Sequence, residues 1–494
     1  MSIVCGASRG AKREDERGRT SNSGTTVFWV GGIHREHGAG EVGMTIRHVP
    51  VDRFRRLKAL RRSSTESREL LAGDSQPALL NREGETHPNV PSLRTGSDRL
   101  ERILGATTKT NQHGEYLSLH CWSGEPRQYT PNIQALRLLM PEAPEEVADP
   151  EQWLFLDTET TGLAGGSGTY AFLIGIAWWD GGGLEIEQFF LREYSEERSL
   201  LYALGERLAD RRVLVTFNGK SFDWPLLETR YRMSRTISVL TPRAHLDFLH
   251  PARNLWRLRL GSVRLSELER HVLGWDRGAD VLSGLIPQIY FDYVRGGPPE
   301  RLIPVFHHNQ MDLRGLAALS SRVLSLLNDA ENEGTDGLEL FGVSRMCERS
   351  GENARARKLY KKSIASVLPA ETDRAARRSL ARLAKREGDF ELACELWKGA
   401  LGNSRHGYEA YEQLAIYYEH KACDPERARQ VVRQALNELR RANQLGDIAP
   451  RAYREIKARF EHRMARLERK VQRPLLDLLG ASGNEVNRID STLG

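Results

Sequence analysis

The stretch Phe155 to Gly162, FLDTETTG, decides how the rest of the chain is read. Its approach, Trp153, Leu154, Phe155 and Leu156, is an unbroken apolar run of the kind that forms a buried strand. Residues two apart on a strand point to the same face, so Asp157 and Glu159 project their carboxylates side by side from the strand's end. Without a cation, like charges this close raise one another's pKa and share a proton. With Mg²⁺ or Mn²⁺ both stay ionised and coordinate through oxygen. A D-x-E standing alone also describes a solvated acidic turn, so its meaning depends on the other acids of the chain.

Downstream, Tyr170 to Trp179 (YAFLIGIAWW) and Leu184 to Arg192 read as strands joined tightly through Gly181 to Gly183, a hairpin. Ser195 to Ala209 has helical spacing (Leu200, Leu201, Leu204, Leu208), and Val213 to Phe217 is a further apolar strand. Three antiparallel strands, a helix and another strand open an α/β, ribonuclease H-like sheet, expected to be mixed, five-stranded and flanked by helices. Gly165, Gly166 and Gly168 are not followed by G-K-[ST], so they read as a turn, not a phosphate cradle. NGKSFDWPLL (218–227) puts Asp223 at a helix start, where a carboxylate can also cap backbone N–H groups. AHLDFLHPAR (244–253) supplies His245 and Asp247, and LSELERHVLG (265–274) reads as a short amphipathic helix. In VFHHNQMDLRGLAAL (305–319), His308 and Asp312 lie four apart on one helical face.

D-x-E at a strand end, Asn followed by Phe-Asp at a helix start, and His-x-x-x-Asp on a late helix occur here in that order. The arrangement resembles the DEDD superfamily of 3′ to 5′ exonucleases, specifically the YprB-type ribonuclease H-like domain, over residues 151–328. The resemblance is carried by DTETTGLAGGSGTYAFLIGIA, TFNGKSFDWPLL, HLDFLHPARNLW, LSELERHVLG and HHNQMDL. It implies that Asp157, Glu159, Asp223 and Asp312 hold two ions of Mg²⁺ or Mn²⁺, and that His308 is the general base. Two cations about 4 Å apart can stabilise both the attacking and the departing oxygen of an in-line phosphoryl displacement. A neutral histidine can take the proton of the attacking water. Thr158, Asn218, Phe222, His245, Asp247, His307 and Asn309 are candidates for substrate contact or for supporting the site. Exonucleases of this superfamily with a catalytic His place it five residues before the last Asp, the position of His307, whereas the HN-x-x-D pattern favours His308. Both remain candidates at this point.

Length and composition set the surroundings. At 494 residues the chain exceeds one ordinary core, and 39% apolar with 28% charged residues describes a globular protein. A net charge of +6 over this length carries little weight for nucleic acid. The five cysteines form no C-x-x-C and fit a reducing cytoplasm. Thr25 to Ile33 is a poor signal peptide, and no run approaches the roughly 18 apolar residues of a membrane span. Residues 1–100 read as largely disordered, with Val49 to Arg62 as a basic helix and Met44 as an alternative start. Residues 101–150, with a strand over Glu115 to Trp122, read as an extension packed on the nuclease-like domain.

From 338 to 475 the chain turns helical. Ala356, Ala393 and Ala428 each follow a turn and precede Tyr360, Trp397 and Val432 by four residues and Ser363, Ala400 and Ala435 by seven. The interval resembles the tetratricopeptide period of about 34 and implies an all-α array that binds a protein partner. A basic helix follows, and residues 476–494 read as frayed. The sequence therefore predicts a cytoplasmic, metal-dependent nuclease acting 3′ to 5′ on single-stranded DNA or RNA ends. The alternatives are a structure-selective endonuclease on the same fold and a nucleic-acid-binding scaffold without turnover.

Overall fold

The computed structural model describes residues 93–124, 130–162, 168–235, 242–402 and 408–489. The basic helix read over 49–62, the alternative start at Met44 and most of the glycine turn at 163–167 lie outside them. Sheet growth is set by β3 (Trp153–Thr160), whose first four side chains are all buried, as a central strand demands. It pairs antiparallel with β4 (Ala171–Asp180) and parallel with β6 (Val213–Thr216). β4 returns into β5 (Gly183–Phe190) through Gly181 and Gly182, both at positive φ, the turn that matches the twist of a two-residue hairpin. β7 (Ala244–Asp247) adds in parallel to β6.

Among the described residues the sheet has seven strands, in the order β1-β2-β5-β4-β3-β6-β7, where the sequence predicted five. The additional two are β1 (Thr107–Asn111) and β2 (Gly114–Ser123), from the segment read as a packing extension, and they lie in the chain between α1 (Leu93–Leu104) and α2 (Ile133–Leu139). β2 pairs with β5 from Leu117 opposite Phe190 to Ser123 opposite Leu184, so the backbone edge that five strands would leave open is covered.

Alternation along β3 divides the core. Leu154 and Leu156 face a cluster built with Leu200 and Leu204 of α3 (Glu197–Asp210), Leu227 and Tyr231 of α4 (Asp223–Ser234) and Tyr290. Phe155 faces the opposite cluster, with Trp256 of α5 (Leu249–Leu260) and Leu316 of the 27-residue α6 (Ile303–Asp329). The helix read over 265–274 is α-helical only for Leu265–Leu268 and continues as a wider π turn, Glu269–Leu273. The buried carboxylate of Glu269 there pairs with Arg277, an interaction that hydrophobic spacing does not announce.

The second core cluster runs on into the all-helical part without a break. It takes in Leu340 of α7 (Gly337–Arg349), Tyr360 of α8 (Asn353–Ala365), Leu380 of α9 (Ala370–Glu387) and Trp397 of α10 (Phe390–Gly399). α7 lies against α5: a Cβ on Gly342 would fall 2.6 Å from the Asn254 carbonyl oxygen, so only glycine allows the approach. Trp256 Nε1 donates to Glu339 Oε1 at 2.7 Å across the same contact. α11 (Tyr408–His420), α12 (Pro425–Gln444) and α13 (Pro450–Ile489) complete the region around Tyr411, Val432, Leu439, Phe460 and Leu467. Ala356, Ala393 and Ala428 are fully buried. The backbone is helical to Ile489, past residue 476 where fraying was expected; the run Leu475 to Leu479 favours helix despite Gly480 and Gly483.

Candidate active site

The parallel strands β3, β6 and β7 end at the same edge of the sheet, and the chain places polar residues at each end. β3 presents Asp157, Thr158 and Glu159. The link from β6 carries Asn218, at φ 73°, and delivers Asp223 as the first residue of α4. α6 crosses from the other side with His308, Asn309 and Asp312 near its start.

Asp157 is fixed from α6. Asn309, fully buried, donates through Nδ2 to Asp157 Oδ2 at 2.8 Å, and its own Oδ1 accepts from Gln188 Nε2 at 2.7 Å. A Cβ on Gly175, the β4 residue opposite Asp157, would fall 2.1 Å from Asn309 Oδ1, so glycine is required for that side chain to reach the strand. Thr158 Oγ1 donates to Asp223 Oδ1 at 2.5 Å, tying the strand end to the helix start. Glu159, His308 and Asp312 can bring ligand atoms within 4.8 Å of one another. His308 Nε2 stands 3.7 Å from Glu159 Oε1 and 3.5 Å from Asp312 Oδ2.

The electrostatics follow from four acids drawn into one place. Burial, and then the charges of Asp312, Glu159 and Asp223, push Asp157 well above the ordinary carboxylate range. Burial with Asp312, Asp223 and Asp280 carries Glu159 up to about 8. Asp223 is also raised, chiefly by burial, despite the Thr158 hydrogen bond that favours its charge. Such a donor set of hard oxygens, short of positive charge, fits Mg²⁺ or Mn²⁺.

The remaining candidates take different places. Asp247 lies close by but is saturated by backbone: its oxygens accept from the N–H groups of Asn218 at 2.8 Å, Lys220 at 3.1 Å and Leu249 at 3.0 Å. It shapes the loop that carries Asn218 and caps α5. His245 Nε2 is 2.8 Å from Thr216 Oγ1, and burial lowers its pKa to about 4, so it stays neutral behind the site. Phe222 is 57% exposed beside Asp223. His307 is exposed, whereas His308, one residue on, is buried among the acids.

Four residues that the sequence reading passed over belong to this neighbourhood. Gln188 holds Asn309, and Glu269, Arg277 and Asp280 form a charged bracket on Asp312 and His308. The only sequence signal for the last two is dense charge without period in WDRGAD (275–280), which resembles a surface loop.

A mixed sheet with paired acids at the end of its central strand, crossed by a helix bearing a further acid, defines a domain of the ribonuclease H superfamily. The model of the RNase_H superfamily matches residues 154–324. The chain belongs to the same family as the uncharacterized protein YprB of Bacillus subtilis (strain 168): the two are 32% identical over 287 residues, covering 58% of this chain and 69% of YprB. Membership points to nuclease-type chemistry on nucleic acid. Among the described residues, no helix is long and apolar enough to cross a membrane.

Proposed function

We propose that the protein is a cytoplasmic nuclease that shortens single-stranded nucleic acid from its 3′ end. The observation that carries this reading is the convergence of Asp157, Glu159, Asp223 and Asp312 with His308 at one sheet edge. The four acids would hold two divalent ions, Mg²⁺ or Mn²⁺, whose charge stabilises an in-line displacement at phosphorus. The chain's own contribution is proton handling and placement. A lone pair of the attacking water oxygen forms the new P–O bond at the terminal phosphodiester, and as His308 Nε2 takes the proton the O–H pair stays on that oxygen. The P–O3′ bond breaks with its pair passing to O3′, which takes a proton from solvent. Phe222, exposed beside Asp223, offers a ring on which the terminal base stacks. The helical region from α7 onward, with tetratricopeptide-like spacing, is proposed to bind a protein partner.

The test is degradation of 5′-labelled single-stranded DNA and RNA with Mg²⁺ or Mn²⁺, comparing wild type with Asp157→Ala and Asp312→Ala. A ladder that shortens from the 3′ end and vanishes in both variants is expected. Internal cuts would replace the exonuclease with an endonuclease on the same site. Intact substrates throughout would leave a nucleic-acid-binding scaffold.

A further inference from the structure

Between the π turn and the next helix, Asp276 to Asp280 folds back against α6. Arg277, with only 7% of its side chain exposed, donates through Nε and Nη2 to the fully buried Glu269, Nη2 reaching Oε1 at 2.6 Å. The same Nη2 lies 2.5 Å from Asp312 Oδ1, and Nη1 donates to Asp280 Oδ2 at 3.2 Å. Asp280 in turn faces His308, its two oxygens 2.8 and 2.9 Å from Nδ1. An ionised carboxylate has no proton to give, so the hydrogen in this contact belongs to Nδ1. Nε2 then carries the lone pair and faces Glu159 and Asp312.

We infer that Asp280 is the positioning residue of His308, fixing the Nδ1-protonated tautomer and aiming the basic Nε2 into the acidic cluster, with Arg277 holding both Asp280 and Asp312 in register. The inference rests on the reading of His308 as proton acceptor. Asp280 does not touch the reacting atoms. It keeps the ring in the only form that can receive a proton on that side, and its charge stabilises the imidazolium once formed.

Two variants test this. In Asp280→Asn the carbonyl oxygen pairs best with Arg277 Nη1, which turns the amide N–H toward His308 Nδ1 and reverses the tautomer. In Asp280→Ala the ring loses its anchor and samples both forms. The readouts, on the full-length chain, are nitrogen NMR of histidine-labelled protein, Mn²⁺ affinity by electron paramagnetic resonance, and nuclease turnover. His308→Gln identifies the His308 signals. Wild type should show protonated Nδ1 and bare Nε2, and Asp280→Asn the reverse. Turnover should fall about 10²-fold in Asp280→Asn and about 10-fold or more in Asp280→Ala, at unchanged Mn²⁺ affinity. An unaltered tautomer in Asp280→Asn, with turnover within twofold of wild type, overturns the inference. So does a loss of Mn²⁺ affinity as large as the loss of turnover, which would make Asp280 part of the cation site. If wild type cleaves nothing, the nuclease reading fails by itself and the tautomer comparison alone decides what Asp280 does.

Discussion

Glu187 on β5 and Glu159 on β3 are carboxylates drawn into the same sheet, yet their surroundings are opposite. Burial opposes the charge of Glu187, but His120 Nε2 at 2.7 Å, Arg207 Nε at 2.7 Å and Ser118 Oγ at 2.8 Å hold its pKa down to about 2, and Lys109 adds a further cation at 3.2 Å. Glu419 in the helical part is treated alike, with Arg463, Arg466 and Lys470 around a buried carboxylate. Glu159 has burial and three acids instead, and rises to about 8. Where this fold uses a buried acid to hold itself together, it supplies the counter-charge from its own side chains. At the end of β3 the acids outnumber Arg277, and without a cation their charge is held down by protons, as the raised pKa values of Asp157, Glu159 and Asp223 record.

The sharpest way to break the contrast is Asp157→Asn. Nuclease turnover should fall by at least about 10³-fold, because the group is proposed to hold the catalytic cations, while the melting temperature without metal should not fall, since burial and the neighbouring acids already disfavour the charge of Asp157. A marked drop in that melting temperature would make the cluster structural and erase the distinction. Next in size, Glu187→Gln should cost about 2–3 kcal/mol, with the cation partners only part-buried, and leave turnover untouched. Urea denaturation with a parallel activity assay measures both.

The pH dependence of stability sharpens the same point. Glu159 binds its proton more tightly folded than unfolded, so without metal its contribution is present below pH 4.5 and is lost as pH rises from 4.5 to about 8. Glu187 does the reverse: its contribution stands above pH 4.5 and is lost as pH falls towards 2. Mn²⁺ should flatten the first slope and leave the second, which denaturation series across both ranges, with and without the ion, will show. Smallest of all, His307→Ala should keep turnover within twofold, against a loss of about 10² for His308→Ala, because only the second ring lies among the acids. Equal losses would undo the assignment of the proton acceptor.

Much of this was legible because the site's acids sit at positions where sequence has period. Asp157 and Glu159 follow an apolar strand, Asp223 opens a helix after one, and His308 and Asp312 share a helical face. The sheet was read short by two strands because pairing of β2 with β5 joins residues more than sixty apart, and local alternation in EYLSLHCW shows a strand without showing its neighbour. Arg277 and Asp280 escaped because ion pairs impose no period. Gln188 escaped because one buried amide among apolar strand residues looks like an outward-facing polar position. Choice between His307 and His308 needed the rotation of α6, which a four- or five-residue spacing alone does not determine.

α6 itself has a consequence for dissecting the protein. It begins at the acids and ends at Asp329, where Arg355 donates to the carbonyl of Leu327 and, at 3.1 Å, to that of Asn328. One apolar mass surrounds its second half, shared by β-sheet and helical hairpins alike. The change in character near residue 330 is therefore a change of style and not a seam. A gene fragment stopped there would strip α7 from α5 and leave the Trp256 indole without the Glu339 carboxylate it donates to, so the fragment should melt well below the whole chain.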